Sequence, residues 1–157
     1  MVFSVLVLCF LIGCVAGLRS MTAPAIVCAA AYLHWIHPAG TPLAFMAAVA
    51  TLWIFAIFAI GELIVDKLPK TPPRTAPMGL IARIVTGSLC GATVAASSPR
   101  SIAMGALLGA AGGVFGTYTG YNIRHGLVIH MNVPDIIIAV IEDLLAITGG
   151  LFVVSRI

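Results

Sequence analysis

Glu142 and Asp143 are adjacent acids near the middle of the apolar run from Pro134 to Val154. That run is long enough to cross a bilayer, since ~20 residues rising ~1.5 Å each span a hydrocarbon core of ~30 Å. A carboxylate at such depth is costly unless it is paired, protonated or hydrated. The chain has only five acidic residues in all. Two of them near the middle of this run point to an acid that binds a proton or cation during transport, or to a buried ion pair that fixes helix register.

The other residues with such chemistry are Arg19, Glu62, Asp66, Lys67, Arg83 and Arg124. Glu62 and Asp66 are four apart, on one helix face near its end. Arg83, about one turn inside its helix, either snorkels to the interface or neutralises an acid. Arg19-Ser20 and Arg100-Ser101 fall at breaks between apolar runs, which makes Arg19 and Arg100 the expected partners of the paired acids. The candidate solute-binding set is therefore Arg19, Ser20, Glu62, Asp66, Arg100, Glu142 and Asp143. His34 and His37 lie at a helix end, and His125 and His130 flank a polar connector. A metal or haem site would need further partners across the fold. Cys9, Cys14, Cys28 and Cys90 lie in apolar runs without a C-x-x-C pair and read as small hydrophobes. Leu11-Ile12-Gly13-Cys14 resembles a lipobox, but no basic residue precedes it, so residues 1–16 are read as a helix. No Ser-His-Asp spacing, phosphate loop or H-E-x-x-H is present. We expect neither an enzyme nor a cofactor or metal.

The elements that must position these groups follow from composition. The chain is 61% hydrophobic and 8% charged, with a mean hydropathy of +1.16, whereas soluble domains carry roughly 25% charged residues. This predicts one all-α, multi-pass membrane bundle over residues 1–157, with no soluble domain. The net charge of +3 comes largely from one loop and reports topology, not nucleic-acid binding. Six apolar segments are expected: Val2 to Ala16, Thr22 to Trp35, Leu43 to Val65, Gly79 to Ala96, Ser101 to Tyr121, and Pro134 to Val154. Leu43 to Val65 is the cleanest span. The first two segments are short, and either cross thin or tilted, or form a broken, partly re-entrant pair meeting at Gly17-Leu18-Arg19-Ser20. A polar connector is expected from Asn122 to Asn132, with Asn132, Pro134 and Asp135 starting the last helix.

Lys67, Lys70 and Arg74 place the proline-rich loop 66–78 in the cytoplasm by the positive-inside rule. Arg19 and Arg124 then lie on that side, with Arg100 and both termini opposite. A shift of 81 residues lays the halves 1–65 and 79–157 over each other, with Arg19-Ser20 on Arg100-Ser101 and Glu62 on Asp143. Three helices per half would invert the second copy, as in many transporters, although chance in an Ala/Gly/Leu-rich chain explains the match equally well. Gly105, Gly109, Gly112, Gly113, Gly116 and Gly120 form a stripe that suits close helix packing, within the bundle or between protomers of a homo-oligomer. A glycine-lined solute path is the alternative.

Gly17-Leu18-Arg19-Ser20-Met21-Thr22-Ala23-Pro24-Ala25 and the segment Glu62 to Thr75, ELIVDKLPKTPPRT, resemble a family of small bacterial integral membrane proteins catalogued as a domain of unknown function. The resemblance covers most of the chain and implies a bacterial inner-membrane protein of this size, without an activity. We expect a small transporter or channel-like protein for an ion or small polar solute, embedded in the lipid bilayer. The alternative is a non-transporting membrane protein that binds a lipid, a hydrophobic cofactor or a protein partner.

Overall fold

A computed structural model describes residues 4–66, 75–131 and 134–157. The described residues form six α-helices and no strand: α1 (Val5–Leu18), α2 (Thr22–Tyr32), α3 (Val49–Val65), α4 (Pro77–Ala96), α5 (Ile102–Met131) and α6 (Asp135–Val154). A short 3-10 turn, Ala44–Ala47, precedes α3. The described chain is mostly helical because its apolar runs are unbroken by polar alternation and its described prolines sit in the first turn of a helix or outside the helices. Pro77 is the first residue of α4 and Pro24 lies in the first turn of α2, where no amide hydrogen is missed.

Two segments depart most from the expectation. The span Leu43 to Val65 is not one helix: Ala48 is extended, with ψ at 137°, and the helix proper is 17 residues long. The connector from Asn122 is helical as far as Met131, so α5 runs for 30 residues. Its mixed polar residues lack a Gly-Pro break, and helix propensity carries through them. The N-cap of α6 is Pro134. Asn132 and most of the loop 66–78, including its lysines, lie outside the described residues.

Contacts fix the helix directions. Gly13 and Gly17 of α1 lie on Gly109 and on Gly113 to Thr117 of α5, so α1 and α5 run parallel. Gly87 and Gly91 of α4 meet Gly109 and Gly105 in the reverse order, so α4 is antiparallel to both. The helices alternate in direction, with Asp66, residues 75–76 and Pro134 at one end of the bundle and residues 33–48 and 97–101 at the other. At that second end the His37 amide donates to Ser97 Oγ at 3.1 Å. Arg19 and Arg124 thus face the end where α3 stops and α4 starts, while Arg100 and the C-terminus lie towards the other.

The central packing uses almost no side chains. A Cβ placed on Gly109 would collide with the backbone of Gly87 and Gly91, one on Gly112 with Phe10 and Cys14, and one on Gly116 with Cys14. The stripe on α5 is filled within this one chain, by α1 on one side and α4 on the other. Small residues here let backbones touch where lipid supplies no hydrophobic drive between helices. Cys9, Cys28 and Cys90 are buried free thiols that pack as small apolar groups. Cys28 Sγ lies 3.8 Å from Met46 Sδ.

The outside is as apolar as a soluble core. Trp53, Ile57 and Phe58 on α3 are 64%, 65% and 57% exposed, and α6 exposes Ile136, Ile141, Leu144 and Leu145. Apolar surface on this scale, around buried charges, is the inverse of a water-soluble protein. Three helices, α4, α5 and α6, are long and apolar enough to cross a membrane, as in a membrane protein.

Candidate functional site

The α1–α2 hairpin is too short to match its neighbours, and that shortness builds the site. Helices of 14 and 11 residues reach only ~21 and ~16 Å, against a hydrocarbon thickness of ~30 Å. Both of their ends need not reach the surface, and the tip at Arg19 to Met21 does not. Thr117, about halfway along α5, places its hydroxyl 3.3 Å from the Gly17 carbonyl and 2.7 Å from that of Gly113. Asp143, close to the middle of α6, meets Arg19. The tip therefore lies level with the middle of α5 and α6.

Ending a helix and starting another at that depth leaves orphan backbone groups with no water to receive them. Met21, the N-cap of α2, supplies no side-chain cap. Glu62 of α3 takes that role from outside. Its Oε1 accepts from the Ser20 amide at 2.8 Å and the Ser20 hydroxyl at 2.7 Å, and its Oε2 accepts from the Met21 amide at 2.8 Å. A carboxylate at the positive end of a helix gains from charge-assisted hydrogen bonds and from the helix dipole.

Arg19 is fully buried, at 0% exposure. Its Nη1 pairs with Asp66, one turn beyond Glu62 on α3. Its Nη2 lies 2.6 Å from Asp143 Oδ1 on α6. One guanidinium thus joins the hairpin tip to two helices. A second arginine does the same nearer the end of the bundle. Arg124 of α5 holds Asp135 through Nε at 2.7 Å and Nη2 at 2.6 Å, and its Nη1 lies 3.3 Å from Glu142. Asp135 and Glu142 are seven residues apart, two turns along one face of α6. Glu142 and Asp143, although adjacent, thus serve different arginines. All five acids of the chain enter this network.

The structure brings together six of the seven sequence-predicted site residues and separates one. Arg19, Ser20, Glu62, Asp66, Glu142 and Asp143 converge. Arg100 does not: it is exposed in the α4–α5 connection at the opposite end, because α4 has the 20 residues needed to carry its turn outward. Its expected place beside the acids is taken by Arg124. The sequence showed Arg124 as a charged residue but assigned it to a connector, and Asp135 read only as a first-turn acid. The spacing of Asp135 to Glu142 was the available signal. Arg83 is buried as well, with Nη1 donating to the Gly79 carbonyl at 3.0 Å. The guanidinium therefore points towards the start of α4.

Among the described residues no group of three His, Cys, Asp or Glu side chains forms a metal-binding arrangement. His34 and His37 stack with ring centroids 6.2 Å apart near the far end. His34 also adopts a left-handed backbone conformation, with φ at 59°, which ends α2 sharply. What the tip offers chemically is a set of charged and hydrogen-bonding groups held at mid-depth, able to exchange partners with a proton, an ion or a polar solute. Comparison with protein-family models, with curated proteins and with solved structures found no match to this chain.

Proposed function

We propose that this chain is a small transporter or channel-like protein of the bacterial inner membrane, moving an ion or small polar solute past the Arg19 cluster. The observation that carries the reading is a fully buried arginine shared by two acids at the tip of a hairpin that stops level with the middle of α5 and α6. Discontinuous helices whose ends meet at mid-depth are a common way to build a solute site in a membrane, because helix termini supply oriented amides and carbonyls there. Ionisable groups in such a place are costly and therefore mark pathways more often than they serve packing. In this reading the hairpin is re-entrant and the loop 66–78 faces the cytoplasm. The network then lies on the cytoplasmic side of the midplane.

Reconstitution of the purified protein in vesicles, with a flux screen of protons, monovalent ions and small metabolites, tests the proposal. Flux that requires Asp143 is the expected result. No flux of any solute, together with unchanged stability in Asp143→Asn, would remove it.

A second reading, a membrane protein that binds a lipid or hydrophobic partner without transport, is favoured by one feature. An open groove of about 420 Å³ runs along α4, lined by Ile84, Val85, Ser88, Leu89 and Ala92. The same vesicle experiment decides between them, since a binding protein shows no flux.

A further inference from the structure

The carboxylate of Glu62 sits where a dissolved anion would bind. It lies at the N-terminus of an 11-residue helix, held by two backbone amides and a hydroxyl, the donor set of a helix-terminal anion site. Two further donors at the same tip have no hydrogen-bond partner. Thr22 Oγ1, in the first turn of α2, is buried and unpartnered, and so is Nε of the fully buried Arg19. Buried donors left open in this way fit a ligand better than a finished structural core, in which such groups are satisfied.

The helix that brings Glu62 is also the one least held by the bundle. Ala59 is the only buried residue on α3, and α3 packs mainly against α2 and the 3-10 turn before it. Both of its acids point at the tip: Glu62 on the α2 amides and Asp66 on Arg19. Movement of α3 away from the tip takes both carboxylates with it. Arg19 then keeps Asp143, a neutral pair, and the α2 amides with the Ser20 and Thr22 hydroxyls are left for one negative charge.

We propose that the α1–α2 tip is a binding site for a small carboxylate solute, and that Glu62 is its resident occupant in this conformation. The inference rests on the transport reading for its purpose but not for its chemistry. A solute carboxylate takes the bonds to the Ser20 amide, the Ser20 hydroxyl and the Met21 amide that Glu62 gives up. Two carboxylates leave and one arrives, so the tip becomes less negative by one charge. Specificity for carboxylate over a spherical halide follows from the geometry, because the two oxygens of Glu62 bind separate donors.

Chemical rescue tests this. Glu62→Ala removes the occupant and leaves the donors in place. Purified in detergent, the variant should unfold several degrees below the wild type. Sodium acetate or formate at about 100 mM should restore about half of that deficit or more, whereas sodium chloride at the same ionic strength should not. Thr22→Val added to Glu62→Ala should weaken the rescue. If Glu62→Ala does not yield folded protein, Glu62→Ser also vacates the donors with a short polar side chain, and the same comparison applies. Equal effects of acetate and chloride on both variants would overturn the carboxylate site. That result leaves transport of another solute standing. Rescue without flux of carboxylates into vesicles would keep the site and remove its transport role.

Discussion

Two turns of this molecule carry the same dipeptide and use it in opposite ways. Arg19-Ser20 joins α1 to α2 and Arg100-Ser101 joins α4 to α5. Arg19 has no exposed surface and is paired with two acids, whereas Arg100 is exposed. Ser20 donates to Glu62, while Ser101 Oγ accepts a local amide bond from Met104 at 3.4 Å. Residue type does not separate them, and depth does. α1 stops after 14 residues and α4 continues for 20. The glycine contacts at Gly13 and Gly17 then fix α1 along α5 so that its end stays level with Thr117. An arginine at a surface turn keeps its water, and the same arginine ~20 Å along a bundle must be given partners.

The largest effect is expected where that depth is set. Gly116→Leu places a side chain into the α1 backbone at Cys14, an overpacking that no rotamer relieves. It should abolish a monodisperse peak on size-exclusion chromatography. Gly61→Ala, where nothing lies within 4 Å of an added Cβ, should leave the peak unchanged. If Gly116→Leu purifies normally, α1 is not held by α5 and depth does not explain the two turns.

Next comes the charge itself. Arg19→Gln leaves Asp66 and Asp143 uncompensated and should cost about 3–5 kcal/mol in detergent unfolding. Arg100→Gln should stay within about 0.5 kcal/mol. Similar values for the pair would mean that burial of Arg19 carries no penalty, and the contrast would fail.

Asp143→Asn sharpens the comparison further. Arg19 keeps Asp66, so the variant should fold, losing about 2 kcal/mol for one charged hydrogen-bond partner, and should lose flux in vesicles. The smallest effect is topological. Arg100→Cys should purify with wild-type stability and be labelled by a membrane-impermeant maleimide added to intact cells. Labelling only after disruption would place the Arg100 end in the cytoplasm and reverse the orientation inferred from the basic loop.

The all-α architecture, the six segments and most of the charged cluster were legible in the residues. Carboxylates in an apolar run have few tolerable environments, so Glu142 and Asp143 announced a buried partner from the sequence alone. The glycine period on α5 likewise required a backbone neighbour. The identity of those neighbours was not legible. Lipid-facing and protein-facing positions on these helices are both apolar, and hydropathy cannot tell which face a glycine or an arginine presents to the bundle.

Sequence by itself determined that this chain is helical, apolar throughout and charged at a few fixed points, because backbone hydrogen bonding and transfer free energies are properties of local segments. Tertiary structure decided which arginine meets which acid. Arg124 rather than Arg100 lies beside Glu142, since α5 continues through residues that read as a connector. Arg19 divides itself between Asp66 and Asp143, since α3 and α6 flank the hairpin. These pairings join residues 47 and 124 positions apart on helices whose relative depth is set by backbone contacts, and no local pattern encodes that depth.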